Sequence, residues 1–353
     1  MRTIHQLLAG GTLGNAVVAE ALAIEQAIRE WGFAARTYAA DVHPSLAGKV
    51  APLEHLRIKP EDIFILHLAT DSPATKICLA LPQPLIVIYH NITPPSYLRG
   101  LGNGMSESAR IGRASLNQLA KRATLSIAHS VYSANELNLA GFKNTQVVPV
   151  VIPHNLDQIA MPDTSNRSQH ANDVTLLHVG RVVPNKRIED IVKIYYYYNK
   201  INLSSQLVLV GSPTGAQAYS DWLNRFITSL GLGGVHLVGQ LSDTELAEHY
   251  HNADVYITMS DHEGFNVPLV ESMRFGVPIV AYASSAIPET LGNSGILVQR
   301  KDFGVIAGMI HQLQTHPGLR SRIVDGQTER AKAFEPALVL DQFRLALEPV
   351  LKS

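Results

Sequence analysis

Short apolar runs alternate with longer stretches of helical spacing along nearly the whole chain. In the first half, Thr3–Ala9, Ala35–Ala40, Asp62–Leu68, Leu85–Tyr89, Leu125–Ala128 and Gln146–Val151 read as strands. The clearest helix between them runs from Asn15 to Trp31 and is closed by Gly32 in the manner of a C-cap. The pattern breaks around Asn155 to Asp173, where Asp163-Thr164-Ser165-Asn166-Arg167-Ser168 reads as a polar linker. It restarts with strands at Val174–Val179, Gln206–Val210, Val235–Val238, Val255–Met259, Pro278–Tyr282 and Gly295–Val298. Helices are expected at Ile188–Asn199, Ala216–Leu230, Asp243–His251, Pro268–Phe275 and Phe303–Thr315, with a helical tail from about Leu319 to Leu351. Strand and helix in alternation predict parallel β-α-β units, hence an α/β protein with two open sheets. Ligands bind such sheets outside the carboxyl ends of the strands, so those segments are the places to look for chemistry.

The length of 353 residues suits two domains. The expected division is an N-terminal Rossmann-like domain at 1–155, a linker at 156–173, a C-terminal Rossmann-like domain at 174–332, and a final helix at 333–353 crossing back to the first domain. With 46% hydrophobic and 17% charged residues the chain is of the folded globular kind. A formal net charge of −1 supplies no global field for nucleic acid, so an anionic ligand must be held by a local cluster. The single cysteine, Cys78, excludes an intrachain disulfide and a cysteine-based zinc site, and suits a reducing, cytoplasmic setting. Met1–Gly11 reads as a first strand rather than a signal peptide, and no apolar run approaches the roughly 18–20 residues of a membrane span.

The segment richest in candidate chemistry is Ser260-Asp261-His262-Glu263-Gly264-Phe265-Asn266-Val267-Pro268-Leu269-Val270-Glu271, between a strand and a helix. Pro268 fits a first helical turn, whose free N–H groups, with the helix dipole, make an anion site. Gly264 permits close approach to the backbone. Glu263 and Glu271 can accept hydrogen bonds from paired hydroxyls, such as those of a hexose or a ribose. Taken alone, Glu263 reads as a solvated loop charge and Glu271 as a partner of its own helix dipole.

A basic pair stands after another strand. Gly180-Arg181 closes Val174–Val179, and Lys186-Arg187 follows after Val182-Val183-Pro184-Asn185. Arginine offers a planar fork to phosphate oxygens and lysine a point charge, so Arg181 and Lys186 can neutralise a diphosphate without a metal; Arg187 is expected to face outward. A solvated basic turn is the alternative. No Asp-x-Asp triplet, a divalent-cation motif of metal-dependent sugar transferases, occurs; Asp261-His262-Glu263 is the nearest approach.

In the first half, Gly10-Gly11-Thr12-Leu13-Gly14-Asn15 follows the first strand without matching the dinucleotide spacing, and Asn15 reads as a helix N-cap. Tyr89-His90-Asn91-Ile92-Thr93-Pro94-Pro95 puts His90 at a strand's carboxyl end in a proline-stiffened loop. Ser133, with Glu136 three residues on, reads as a helix cap. Ala109–Arg122 carries Arg110, Arg113, Lys121 and Arg122, either a solvated helix face or a contact with an anionic membrane.

Glu263-Gly264-Phe265 and Glu271 at their fixed spacing, Gly276-Val277-Pro278-Ile279-Val280, Ile287-Pro288-Glu289-Thr290 and Gly295-Ile296-Leu297-Val298 together resemble the donor-site motif of glycosyltransferase family 4. The resemblance covers nearly the whole chain and is strongest from Val174 to Val298. It implies the GT-B fold, two Rossmann-like domains with parallel sheets facing a cleft. It implies retaining transfer of a hexose from a UDP- or GDP-sugar to a hydroxyl acceptor, in polysaccharide, glycolipid or cell-envelope glycan synthesis, with no cofactor and no metal. On that resemblance Arg181, Lys186, Glu263 and His90 are catalytic. The donor contacts are Gly11, Gly180, Arg181, Lys186, Val238, Gly239, Glu263, Gly264, Phe265, Asn266, Val267 and Glu271. A nucleotide-sugar epimerase of the same architecture and a non-catalytic nucleotide-sugar-binding subunit remain as alternatives. Donor base, sugar, acceptor and oligomeric state are not specified by these motifs.

Overall fold

The computed structural model describes residues 2–11, 16–102, 104–153, 156, 159 and 173–352. Most of the linker expected at 156–173, and the N-cap expected at Asn15, lie outside them. The chain divides into two compact units. The first comprises Met1–Ser96, Gly104–Pro153 and Phe334–Ser353, and the second Tyr97–Asn103 and His154–Ala333.

In the first unit, strands β1 (Thr3–Leu8), β2 (Ala34–Ala39), β3 (Ala51–Pro52), β4 (Ile63–Leu68), β5 (Leu85–Tyr89), β6 (Leu125–Ala128) and β7 (Thr145–Val147) form one sheet in the order β3-β2-β1-β4-β5-β6-β7. Every pairing is parallel. Helices α1 (Ala16–Glu30), α2 (Pro73–Ala80), α3 (Met105–Arg122) and α4 (Val131–Leu139) connect the strands. β4 is buried at every position, as expected of a central parallel strand covered on both faces. The C-terminal helix, Pro336–Leu351, belongs to this unit. Its Val339, Phe343, Leu347 and Val350 share a core with Ile24 and Ile28 of α1 and with Ile4, Ile63, Ile86 and Leu125 of the sheet. Those four positions follow an i, i+4, i+8, i+11 spacing, one apolar stripe of a helix.

In the second unit, β8 (Val174–Val179), β9 (Ser205–Val210), β10 (Val235–Gly239), β11 (Val255–Thr258), β12 (Ile279–Tyr282) and β13 (Ile296–Val298) form a parallel sheet in the order β10-β9-β8-β11-β12-β13. Around it lie α5 (Ile188–Ile201), α6 (Gln217–Ser229), α7 (Asp243–Asn252), α8 (Val267–Arg274), α9 (Ile287–Leu291), α10 (Phe303–Thr315) and α11 (Pro317–Ala331). The strand order reverses between β8 and β11, and between β1 and β4 in the first sheet. Such switch points are where doubly wound sheets open a binding crevice.

Three sequence expectations are corrected. The strand expected through Val151 stops at Val147, because side chains take over from the ladder: the Val148 carbonyl accepts from the His129 ring, and the Val151 N–H donates to Glu20. The cap of α4 is Ser130, whose hydroxyl accepts the Ser133 N–H; Ser133 lies inside the helix, and Glu136 accepts from Tyr89 and Arg113 instead. The single helical tail is two helices, since Glu335 precedes a proline and takes extended ψ. The two-residue edge strand β3 and the short helix α2, capped by Ser72, were not apparent from spacing.

Candidate functional site

The switch point of the second sheet brings the two motif loops together. The turn after β8 carries Gly180, Arg181 and Lys186; the loop after β11 carries Glu263 to Asn266. Lys186 donates to both carboxylate oxygens of Glu263, at 2.7 and 2.8 Å. The Glu263 side chain is 8% exposed and that of Lys186 19%. Asn266 donates to the same carboxylate at 3.2 Å, and the Glu263 N–H donates to the Ser285 hydroxyl at 2.8 Å. A buried carboxylate is stable only when paired and hydrogen-bonded in this way.

Asn266 has left-handed backbone (φ 78) and leads into α8 without a side-chain cap, and Pro268 occupies the first turn. The Asn266 side chain makes no capping hydrogen bond to the first-turn N–H groups, the arrangement that receives an anion. Phe265 is buried, its carbonyl bound by the Thr290 hydroxyl at 2.6 Å; Gly264 and Val267 are partly buried. Glu271, on α8, accepts from the Tyr250 hydroxyl at 2.6 Å. Burial, with the Glu271 charge beside it, holds that phenol well above its ordinary value. Arg181 is exposed; among the described residues it donates to the Thr214 carbonyl at 3.3 Å.

Arg187, expected to face outward, is half-buried and sits in an ion-pair network. It meets Glu189, Asp190 and Asp261, while Lys301 bridges Asp190 and Asp261 at 3.1 and 2.6 Å. Lys301 is a positioning group that spacing could not reveal, because it lies 40 residues from the loop it pins. Gly211, at the end of β9, was likewise missed. A Cβ there would lie 1.9 Å from the Gly180 carbonyl oxygen, so two loops cross almost in contact. Gly239 (φ 75) ends β10, after Val238, and its carbonyl accepts the Gly211 N–H at 2.8 Å.

Beneath the basic turn, His178 donates from Nδ1 to the Ile257 carbonyl at 2.9 Å, and burial pushes its ring down to about 4.

In the first unit, Gly11 spends its N–H on the Asp41 carbonyl, and its own carbonyl accepts from His43. His90 is not a lone histidine. It lies in a buried group with His67, His129, Glu20 and Gln6, drawn from β4, the loops after β5 and β6, α1 and β1. Ligand-type atoms of Glu20, His67 and His90 all fall within 4.8 Å of one another. Both His67 nitrogens are committed, Nε2 to Gln6 at 2.8 Å and Nδ1 to His90 at 3.0 Å, which makes this a hydrogen-bonded chain rather than a ligand set.

These histidines predict acid sensitivity. Burial pushes His67 to about 3 and His178 to about 4, from an ordinary 6.5. Both bind fewer protons folded than unfolded, so stability falls as pH drops below about 6.5, by about 2 kcal/mol for each at pH 5. His129, raised by Glu20, has the opposite sign: its contribution is full below its unfolded value and fades as pH rises through its folded one. Urea midpoints at pH 7 and pH 5 should differ accordingly; equal midpoints would count against neutral His67 and His178.

Solved structures share this fold. Anabaena HepE, determined in complex with UDP and glucose, superposes with a TM-score of 0.80 over 99% of this chain and all of that one, at 20% identity. Sucrose-phosphate synthase from Thermosynechococcus elongatus gives 0.76 over all of both chains at 17% identity. The fold is thus GT-B. Residues 162–330, just under half of the chain, match the family model "Glycosyl transferases group 1". Among curated relatives, D-inositol 3-phosphate glycosyltransferase of Thermomonospora curvata is 30% identical over 167 residues, 45% of this chain and 39% of that protein. The MMP alpha-(1->4)-mannosyltransferase of Mycolicibacterium hassiacum is 36% identical over 111 residues, 30% of this chain and 27% of its own length. The match thus spans well under half the length of either relative.

Proposed function

We propose that the protein is a retaining glycosyltransferase that moves a hexose from a nucleotide sugar to a hydroxyl acceptor without a metal. The observation that carries this reading is the Lys186–Glu263 pair at the switch point of the second sheet, with an uncapped helix N-terminus beside it. One group binds phosphate, the other accepts sugar hydroxyls, and they touch. The second unit is the donor side. Arg181, Lys186 and the α8 amides stabilise the leaving diphosphate, Glu263 meets the transferred sugar, and Glu271 meets the ribose. The base is read near Val238 and Gly239. The first unit is the acceptor side, with His90 as its catalytic group. UDP- or GDP-sugars are the donors this reading favours, and the relatives that carry sugar-transfer names support it.

Among the described residues no helix is long and apolar enough to cross a membrane. A peripheral contact through α3 has a reduced basis. Arg113 is bound to the Ile92 carbonyl and Glu136, Arg122 to the Leu81 and Gln83 carbonyls, and Arg110 to Glu107.

The two glutamates provide the test. Bonds lost at the transferred sugar weaken the transition state selectively, whereas bonds lost at the ribose weaken ground and transition states alike. Glu263→Gln should mainly lower kcat. Glu271→Gln should mainly raise the donor KM and weaken calorimetric binding of the sugar-free nucleoside diphosphate. The reverse pattern would exchange the two roles, and absence of any sugar transfer or sugar-nucleotide hydrolysis by the unsubstituted protein would overturn the reading.

A further inference from the structure

The buried group around His90 has a proton arrangement that its hydrogen bonds determine. Gln6 donates from its amide nitrogen to the Ala21 carbonyl at 2.7 Å and to Thr37 at 3.2 Å, so its oxygen faces His67. His67 Nε2 must therefore carry a proton, donated to that oxygen at 2.8 Å. His67 is fully buried, and burial pushes it down to about 3, which leaves one proton on the ring and Nδ1 bare. The partner of that Nδ1, at 3.0 Å, is His90 Nε2, so His90 is the donor there. The remaining His90 nitrogen, Nδ1, looks at Glu20 Oε2 from 3.7 Å.

His129 stands on the other side of the same carboxylate. Its Nδ1 faces the Val148 carbonyl at 3.0 Å and its Nε2 faces Glu20 Oε2 at 3.3 Å. A carbonyl and a carboxylate are both acceptors, so a ring with protons on both nitrogens suits its two neighbours; the Nε2 approach to Glu20 is an ion-pair distance and not a formed hydrogen bond. The second Glu20 oxygen accepts the Val151 N–H at 3.0 Å. Burial alone would push Glu20 up and His129 down. The mutual attraction reverses both, with Glu20 below its ordinary value and His129 above. The charged groups facing His90 are then Glu20 from α1 and His129 from the loop after β6, with neutral His67 from β4.

We propose that Glu20 and His129 are positioning residues for the transfer reaction: they hold the single imidazolium charge of this group at His129 and leave His90 uncharged, with its proton on Nε2. This rests on the reading above that makes His90 a site group. Glycosyl transfer passes through an oxocarbenium-like state in which the sugar ring gains positive charge. Positive charge on a catalytic imidazole would oppose that state, whereas a neutral ring does not. Glu20, buried between two histidines, would otherwise draw a proton onto either; its carboxylate stands nearer His129, at 3.3 Å against 3.7 Å for His90, and that shorter approach decides the contest.

Histidine ¹H–¹⁵N long-range spectra of the full chain at pH 7, assigned through backbone connectivity, test the charge placement directly. The expected result is a doubly protonated His129 and singly protonated His67 and His90. A doubly protonated His90 with a neutral His129 would overturn the proposal. In His129→Asn, whose amide can still serve the Val148 carbonyl, the charge should move to His90. Turnover should then fall about tenfold at pH 7 and recover as pH rises, which places the acid limb of the variant about one unit above pH 7. In Glu20→Gln both rings should be neutral at pH 7, and the acid limb should not move upward. An unchanged limb in His129→Asn, with His90 still singly protonated, would also overturn the proposal. Should His129→Asn not fold, the wild-type spectrum alone decides. Lack of transfer activity in the unsubstituted protein as well as in both variants would refute the glycosyltransferase reading while leaving the spectra to settle the charge.

Discussion

Lys186→Ala is expected to lower turnover by roughly ten- to hundredfold and, in the same protein, to lower thermal stability. The first effect is a lost charge-assisted contact to the leaving diphosphate, about 1.5–3 kcal/mol. The second follows from the pairing seen in the structure. Without its ammonium partner the Glu263 carboxylate, 8% exposed, keeps Asn266 as its one side-chain donor among the described residues. A charge stranded in this way costs on the order of 1–3 kcal/mol, or several degrees of melting temperature for a unit of this size. The two effects are separable in the double variant Lys186→Ala/Glu263→Gln. Removing the stranded charge should restore most of the melting temperature and none of the turnover. A single variant with the wild-type melting temperature would show that the pair contributes nothing to the fold. One with the wild-type rate would reduce the basic turn to a surface feature.

Gly211→Ala should be the most damaging single methyl in the second unit. The new Cβ would sit 1.9 Å from the Gly180 carbonyl oxygen and 2.7 Å from its carbon, and both are backbone atoms that cannot rotate away. The backbone at Gly211 is itself in a region that other residues rarely adopt, at φ +148. Relief requires the turn after β8 to move, and that turn carries Arg181. Both the melting temperature and the donor KM should suffer, with donor KM rising about tenfold or more. Gly231→Ala is the matched control. Gly231 also has positive φ (+66), yet nothing lies within 4 Å of the added methyl. It should cost only the backbone strain, about 1 kcal/mol, and leave donor KM alone. Equal melting curves for the two variants would refute the crossing of these loops.

The strands and most helices were legible because each is short, apolar and bounded by polar or glycine-rich turns. β5, β6, β8 and α10 begin and end where the spacing placed them. The acidic and basic motifs were legible because each lies within one strand–loop–helix step. What spacing could not show was contact across the sheet. Lys186 and Glu263 are 77 residues apart, and reading them as separate ligands for phosphate and sugar missed that each is the other's partner. His90 read as a lone histidine because its neighbours come from distant segments of the chain; a histidine closing three successive strands, at His67, His90 and His129, was the available clue. Ser133 was mistaken for a cap because a capping-box spacing is satisfied by Ser133 and Glu136, while the hydroxyl that caps α4 sits three residues earlier.

The helix Pro336–Leu351 closes the core of the first unit, yet it is made after the whole of the second. On a ribosome, the first sheet must therefore wait through the synthesis of about 180 intervening residues with one apolar face uncovered. The second unit has no such debt and can complete itself while the first is still open. A stop before Pro336 would release a chain with a finished second unit and an exposed strip along Ile4, Ile63, Ile86 and Leu125, the kind of surface that chaperones and proteases recognise.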